Sequence, residues 1–337
     1  MTTYKGINGY AVQSLASDPS PSDEGQVWYN NASYAFKLAA VTTTGTWATG
    51  GNLNTPRYAS GAAGTQTSAL LVAGQNSVPN LATNAVESYN GTSWTSLGTS
   101  YPQTYFQLGG AGTQTAAVAW CGDIPSNYPP GVEVLSSDTN KWNGTSWTAS
   151  GAYPRAQKAQ GAAGTQTAAL SAGGTNTSPG APGTTTATNT YNGTSWTAVP
   201  GTLVTAYTFL NSMFGTQTSA LAITGNTPNS VQSYNGTTWT VGTSMNTTRY
   251  ASAFGNSSQS GVAFGGPPAV TSTEVWNGTS WTNNPTGLNT GRSNAVGFGT
   301  TSAGLAAGAS SGSVPTDRAT EAWTGPGTAV TKTITTS

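Results

Sequence analysis

Apolar residues come along this chain in short bursts, not in long periodic runs. A representative burst is Ser68-Ala-Leu-Leu-Val-Ala73, and glycine, asparagine or proline interrupts the pattern on either side of each one. The segments between interruptions are rich in Thr, Val, Tyr and Trp, the residues that favour a pleated, half-buried surface. Helices would need longer stretches of good helix formers, so the pattern predicts many short strands.

The strands repeat. Tyr89-Asn-Gly-Thr-Ser-Trp94 returns as Trp142–Trp147, Tyr191–Trp196, Tyr234–Trp239 and Trp276–Trp281, and Gly-Thr-Gln-Thr recurs at Gly64, Gly112, Gly164 and Gly215. The spacing of about 40 to 53 residues is that of four-stranded propeller blades. Within a repeat, strand a is rich in Gly and Ala, as in Tyr58-Ala-Ser-Gly-Ala-Ala63, and small residues suit an innermost strand crowded by its neighbours. Gly-Thr-Gln-Thr makes the a–b turn. Strand b is apolar and ends at a glycine pair or near-pair such as Gly173-Gly174. Strand c ends in an aromatic (Tyr89, Trp142, Tyr191, Tyr234, Trp276, Trp323), and Asn-Gly is expected to close a two-residue type I′ hairpin into strand d.

The glycine pair, the strand-c aromatic and the Trp five residues later resemble the kelch repeat over residues 44–325. The resemblance implies an all-β, six-bladed kelch-like propeller with four-stranded blades. It implies no particular function, because that architecture serves many. Closure follows from counting tryptophans. Strand-d tryptophans number six, Trp47, Trp94, Trp147, Trp196, Trp239 and Trp281, yet Trp47 precedes every strand a and no Trp follows Trp323. The N-terminal Trp47 strand is therefore expected to pair with Thr320–Trp323 and close the ring. This leaves an N-terminal segment (1–40) with a β-hairpin, a propeller (41–325) and a C-terminal strand or tail (326–337).

Charge narrows the chemistry. Ten basic and ten acidic residues in 337, with no His, give a net charge of zero, and 60 threonines keep the surface wet. Phosphate recognition needs basic clusters, so nucleic acid is not an expected partner. No apolar run is long enough for a membrane span, and the first 25 residues lack the apolar core of a secretion signal. Cys121 is the one cysteine, so no internal disulfide is available. Without His, imidazole catalysis and His-ligated metals drop out. That also excludes the copper chemistry of galactose oxidase-like enzymes, which share the kelch fold. The glycine-rich stretches lack the following Lys and helix of a phosphate loop. Asn-Gly-Thr is formally a glycosylation acceptor, but its repeated place reads as a turn.

Of the ten acids, Glu87, Glu274 and Glu321 fall at equivalent strand-c positions and read as structural. Asp123, Glu133 and Asp138 form the one cluster that would suit a carboxylate enzyme or calcium. The expectation is no catalytic residue, no metal and no cofactor. Arg57, Arg155, Arg249 and Arg292 each stand near the start of a strand a, where bonds to neighbouring-blade carbonyls are favoured over a basic ring.

Recognition is expected on one face. The a–b and c–d turns are nearly identical between repeats, whereas the b–c and d–a connections, on the opposite face, vary in length and composition. Variable loops on a rigid scaffold are where binding concentrates. Uncharged glycans suit such a face, and Tyr101, Tyr128 and Tyr153 are its candidate contacts. Asp18-Pro-Ser-Pro-Ser-Asp-Glu-Gly-Gln-Val-Trp-Tyr-Asn-Asn31 resembles the opening of phage structural and tail-fibre-type proteins. That second resemblance implies a virion protein, made in the host cytoplasm and displayed on the particle exterior for host-surface recognition or decoration. Its expected partners are other virion proteins through residues 1–40, a host glycan or protein, and further copies of the chain. A bacterial lectin-like adhesin is the alternative.

Overall fold

The computed structural model describes residues 12–19, 26–41, 44–76, 81–124, 134–178, 181–206, 212–223, 230–310, 317–327 and 329–334. The chain divides into two compact units, Thr46–Thr324 and a smaller one built from Met1–Gly45 with Gly325–Ser337.

Six four-stranded antiparallel sheets make up the larger unit, each in the order a-b-c-d. Their inner strands are Gly61–Thr65, Gly109–Gly112, Gly161–Thr165, Ser212–Thr216, Ser252–Ser257 and Val296–Gly299 for blades 1 to 6. Each packs beside the next, and blade 6 packs beside blade 1. The outermost strand of blade 6 is Thr46–Thr49, which pairs with Thr320–Thr324 with Trp47 opposite Trp323. The ring thus closes through the N-terminal strand, as the tryptophan count predicts, and that strand completes the four-stranded sheet of blade 6.

Small inner-strand residues follow from crowding: a Cβ on Gly110 would lie 2.5 Å from Ala62 N in the adjacent blade. The a–b turn, not the c–d turn, is the two-residue hairpin. Thr65 pairs with Ser68 around Gln66-Thr67, and Gly64 at φ +108° could not carry a Cβ, which would meet Ser68 O at 2.1 Å. The expected type I′ turn at Asn-Gly is not formed. Tyr89 pairs with Trp94 across four residues. Asn90 Oδ1 accepts the N–H groups of Thr92 (3.0 Å) and Ser93 (2.9 Å), and only Gly91 of the pair has positive φ. The asparagine side chain does the turning, an Asx-type solution that Asn143, Asn192, Asn235 and Asn277 repeat.

Blades are stapled by side chains that belong to the repeat. The a–b glutamines reach back to two carbonyls of the preceding blade: Gln66 to Gly304 and Trp323, Gln114 to Ala69 and Tyr89, Gln166 to Ala117 and Trp142, Gln217 to Ala169 and Tyr191. The strand-d indoles do likewise. Trp47, Trp94, Trp196 and Trp239 donate to Thr273, Thr320, Thr139 and Thr188, each three residues before the strand-c aromatic of the preceding blade. Blades 1 and 4 carry Val86 and Val231 at that place. Trp281 turns to Thr243 O instead, and Trp147, packed in the Val86 cluster, has no acceptor. Restoring the hydroxyl with Val86→Thr should therefore stabilise the protein by about 1 kcal/mol, the net worth of a buried hydrogen bond. An unchanged or lowered urea midpoint would show that Trp147 is satisfied otherwise.

The smaller unit is a four-stranded sheet: Gln13–Leu15 lies parallel to Val27–Asn30, which pairs with Ala35–Val41, which pairs with Ala329–Thr333. Asp18 ties it together by accepting from Trp28 Nε1 (3.0 Å) and Asn30 Nδ2 (2.8 Å). Those two bonds hold its carboxyl below the usual range.

Candidate functional site

The variable face is held by one recurrent lock. Two residues before each strand-c aromatic stands Glu87, Asn140, Asn189, Gln232, Glu274 or Glu321 in blades 1 to 6. In blade 1, Glu87 accepts Arg57 Nη2 at 2.8 Å and the main-chain N–H groups of Asn54 (2.8 Å) and Thr55 (3.0 Å). Blades 5 and 6 repeat this with Arg249–Glu274 and Arg292–Glu321, with Asn246, Thr247, Asn289 and Thr290 giving the main-chain bonds. The pairs are buried, and burial pulls the Arg57 guanidinium down to about 10 against the opposing pull of Glu87. These three arginines therefore meet a carboxylate and main-chain carbonyls of their own blade, not carbonyls of a neighbouring blade. The reason is that the d–a connection curls back over its own strand c. Arg155 is exposed and outside the set; the buried Gln157 stands at the position that Arg57 holds in blade 1.

Blades 2 and 3 replace the lock with tyrosine and asparagine, and this overturns two of the expected ligand contacts. Tyr101 and Tyr153 are 0% and 3% exposed. Asn140 Nδ2 donates to the Tyr101 hydroxyl (3.2 Å) and Asn189 Nδ2 to that of Tyr153 (2.7 Å). Tyr101 also packs edge-on against Trp147, and Tyr153 against Trp196. Both are scaffold side chains, because an apolar ring plus a neutral amide fills the space that a buried ion pair occupies elsewhere. Burial pushes both hydroxyls well above the ordinary tyrosine range, and the Cys121 thiol up likewise. Tyr128 lies outside the described residues.

The acidic cluster is also dispersed. Asp123 pairs with Lys158 at 2.8 Å, Asp138 accepts the Tyr105 hydroxyl at 2.5 Å, and Glu133 lies outside the described residues. No group of three metal-ligating side chains occurs among the described residues. None of their helices is long and apolar enough to cross a membrane.

What does gather at the variable face is the mouth of the central channel. Ala59, Gln107, Ala159 and Asn294, just before their inner strands, adopt left-handed φ of 50° to 56°. Main-chain bonds run between them: Ala59 N to Asn294 O (3.2 Å), Gln107 N to Ala59 O (2.7 Å) and Ala159 N to Gln107 O (2.9 Å). This belt orients the residues on either side of it. Tyr58 and Phe106 stand one residue outside, half-buried, with the Tyr58 hydroxyl on Gln75 (2.7 Å) and Lys158 Nζ 5.9 Å from the Phe106 ring centre. Tyr250 is 39% exposed. Short hairpins, Asp123–Ile124 with Val134–Leu135 and Thr175–Ser178 with Ala181–Thr184, extend the b–c connections of blades 2 and 3. Within the channel, a cavity of about 470 Å³ toward the a–b turns is walled by Gly, Ala, Thr and other uncharged residues. The aromatic rim was legible in the repeats only in part: Tyr58, Phe106 and Tyr250 fall at a position where blades 3 and 6 carry Lys158 and Ser293.

Among solved structures, that of YjhT, a kelch-repeat β-propeller protein, aligns with 80% of this chain and 94% of its own at a TM-score of 0.62 and 12% identity. This protein has a kelch-type β-propeller fold. At 12% identity the likeness concerns architecture alone. No protein-family model and no curated protein matches the chain. Three blades of the kelch ring keep an arginine and a glutamate for internal locks, and half-buried aromatics with the Lys158–Asp123 pair stand on the variable face.

Proposed function

We propose that the chain is a non-enzymatic structural protein of a bacteriophage particle. In this reading the propeller is displayed on the exterior, and its b–c and d–a face contacts the host surface through uncharged glycans. The carrying observation is the division of labour along the chain: both ends leave the ring at one sheet, where Thr46 pairs with Thr324, and combine into a separate sheet of their own. A closed ring with a second module made from both termini suits a division in which the ring is displayed and the module attaches. The neutral, threonine-rich surface suits an exposed position, and the opening around Asp18–Asn31 resembles phage structural proteins. Non-enzymatic action is supported by the buried, ion-paired state of Arg57, Arg249 and Arg292 with Glu87, Glu274 and Glu321.

Mass spectrometry of purified particles tests the assignment, with the protein expected at structural stoichiometry. A chain reduced to Thr46–Thr324 should keep a cooperative melt and β-sheet circular dichroism but fail to enter particles. Normal incorporation of that shortened chain would remove the attachment role from the smaller unit. Recovery with the cell envelope and not with particles would favour a surface adhesin.

A further inference from the structure

In each blade, strand a is the terminal strand of its sheet, so one of its edges has no strand to pair with. Register decides which main-chain groups stand on that edge. Thr113 and Ala116 exchange both main-chain bonds, as do Thr300 and Ala303. Bonded and non-bonded pairs alternate along an antiparallel ladder. Gly112 and Gly110 in blade 2, and Gly299 and Gly297 in blade 6, therefore fall in non-bonded pairs with strand b. Their N–H and C=O groups point away from the sheet, into the central channel. Two-residue hairpins closed by Thr65–Ser68, Thr165–Ala168 and Thr216–Ser219 give blades 1, 3 and 4 the same register. Ala62 and Gly64, Ala162 and Gly164, and Met213 and Gly215 are placed likewise.

All of these residues line the cavity of about 470 Å³ that lies toward the a–b turns. The glycines among them are half-buried, and the accessible surface of a glycine is its main chain. The wall thus offers N–H donors and C=O acceptors to whatever enters, from several blades at once. No charged side chain lines it, and Thr65, Thr165 and Thr216 stand exposed in its lining. Its volume falls within the range of small-molecule sites, about 300–1,000 Å³.

We infer that this cavity binds a neutral mono- or disaccharide, whose hydroxyls bond the channel-facing main chain of several blades together. A hydroxyl both donates and accepts, which matches a wall carrying both kinds of group. A charged ligand would lose its hydration with no opposite charge to meet it, and an apolar one would leave the wall groups unpaired. An extended peptide pairs with one strand edge at a time, so it would satisfy a single blade. Water bonds such groups in solution, and ligand hydroxyls that reproduce those bonds displace it. The site lies at the end of the channel opposite the variable face, so it is separate from the host-contact reading above and does not rest on it.

Methyl-labelled methionine NMR spectra of the full chain test the site. Met213 lines the cavity, whereas Met245, buried in the connection from blade 4 to blade 5, does not. Glucose, galactose, N-acetylglucosamine and lactose are the probes, with glucuronic acid as the charged control. At least one neutral probe should move the Met213 methyl signal saturably and leave that of Met245 in place. Thr65→Trp with Thr216→Trp crowds the cavity from blades 1 and 4 at exposed positions. The pair should abolish the movement while the melting temperature stays level, and either single substitution serves the same comparison if the pair disturbs folding. No response of Met213 to any neutral probe would overturn the site. A response that survives in the variants would overturn it too, because Met213 also lines the smaller pocket at the variable face. So would a response to glucuronic acid alone. Each of these failures would leave recognition at the variable face standing.

Discussion

Replacing Glu87 by alanine should lower the unfolding free energy by about 3–5 kcal/mol, the range for removing one partner of a buried ion pair. Glu87 and Arg57 are both fully buried. The alanine would leave a guanidinium held by Ala85 O alone and strip the N–H groups of Asn54 and Thr55 of their acceptor. Most of the loss comes from those orphaned groups and not from the net worth of the pair, since buried pairs roughly repay their own desolvation. Glu87→Gln should cost less. Gln232 already occupies this place in blade 4, where its Oε1 accepts Val204 N at 2.7 Å. Replacing both partners, as Arg57→Met with Glu87→Leu, should recover part of the loss but not all, because the two loop N–H groups stay unpaired. Urea unfolding of the three proteins decides the matter. A Glu87→Ala loss below about 1 kcal/mol would show that the lock contributes no more than an exposed pair.

Trp47→Ala is the second large effect, at about 3–5 kcal/mol for emptying a buried aromatic site. The Trp47 ring lies 5.2 Å from Trp323, 5.3 Å from Phe264 and 6.1 Å from Phe254, so it joins the closing strand to the blade-5 side chains. Its indole also donates to Thr273 in blade 5. The consequence differs from that of an interior tryptophan, because Thr46–Thr49 is a four-residue strand joined to its blade by pairing and not by the preceding chain. Hydrogen exchange should show protection lost first in Thr46–Thr49 and Thr320–Thr324, and the edge so exposed should promote aggregation. Uniform loss of protection across all six blades would contradict a closure-specific role.

The features legible in the chain are the ones that repeat. Six strand-c aromatics, six strand-d tryptophans and their offset along the chain are enough for blade number, strand order and closure, because each blade must satisfy the same packing demands. The a–b turn glycine and the small inner strand belong to the same class, since close backbone approach excludes a Cβ in every copy. Tertiary packing decided whatever depends on a partner distant in sequence. Sequence alone shows four arginines but not which three face a carboxylate, because the partner lies about 30 residues on and is reached only when the d–a connection folds back. Tyr101 and Tyr153 look like loop aromatics until Asn140 and Asn189 stand opposite them in place of a glutamate.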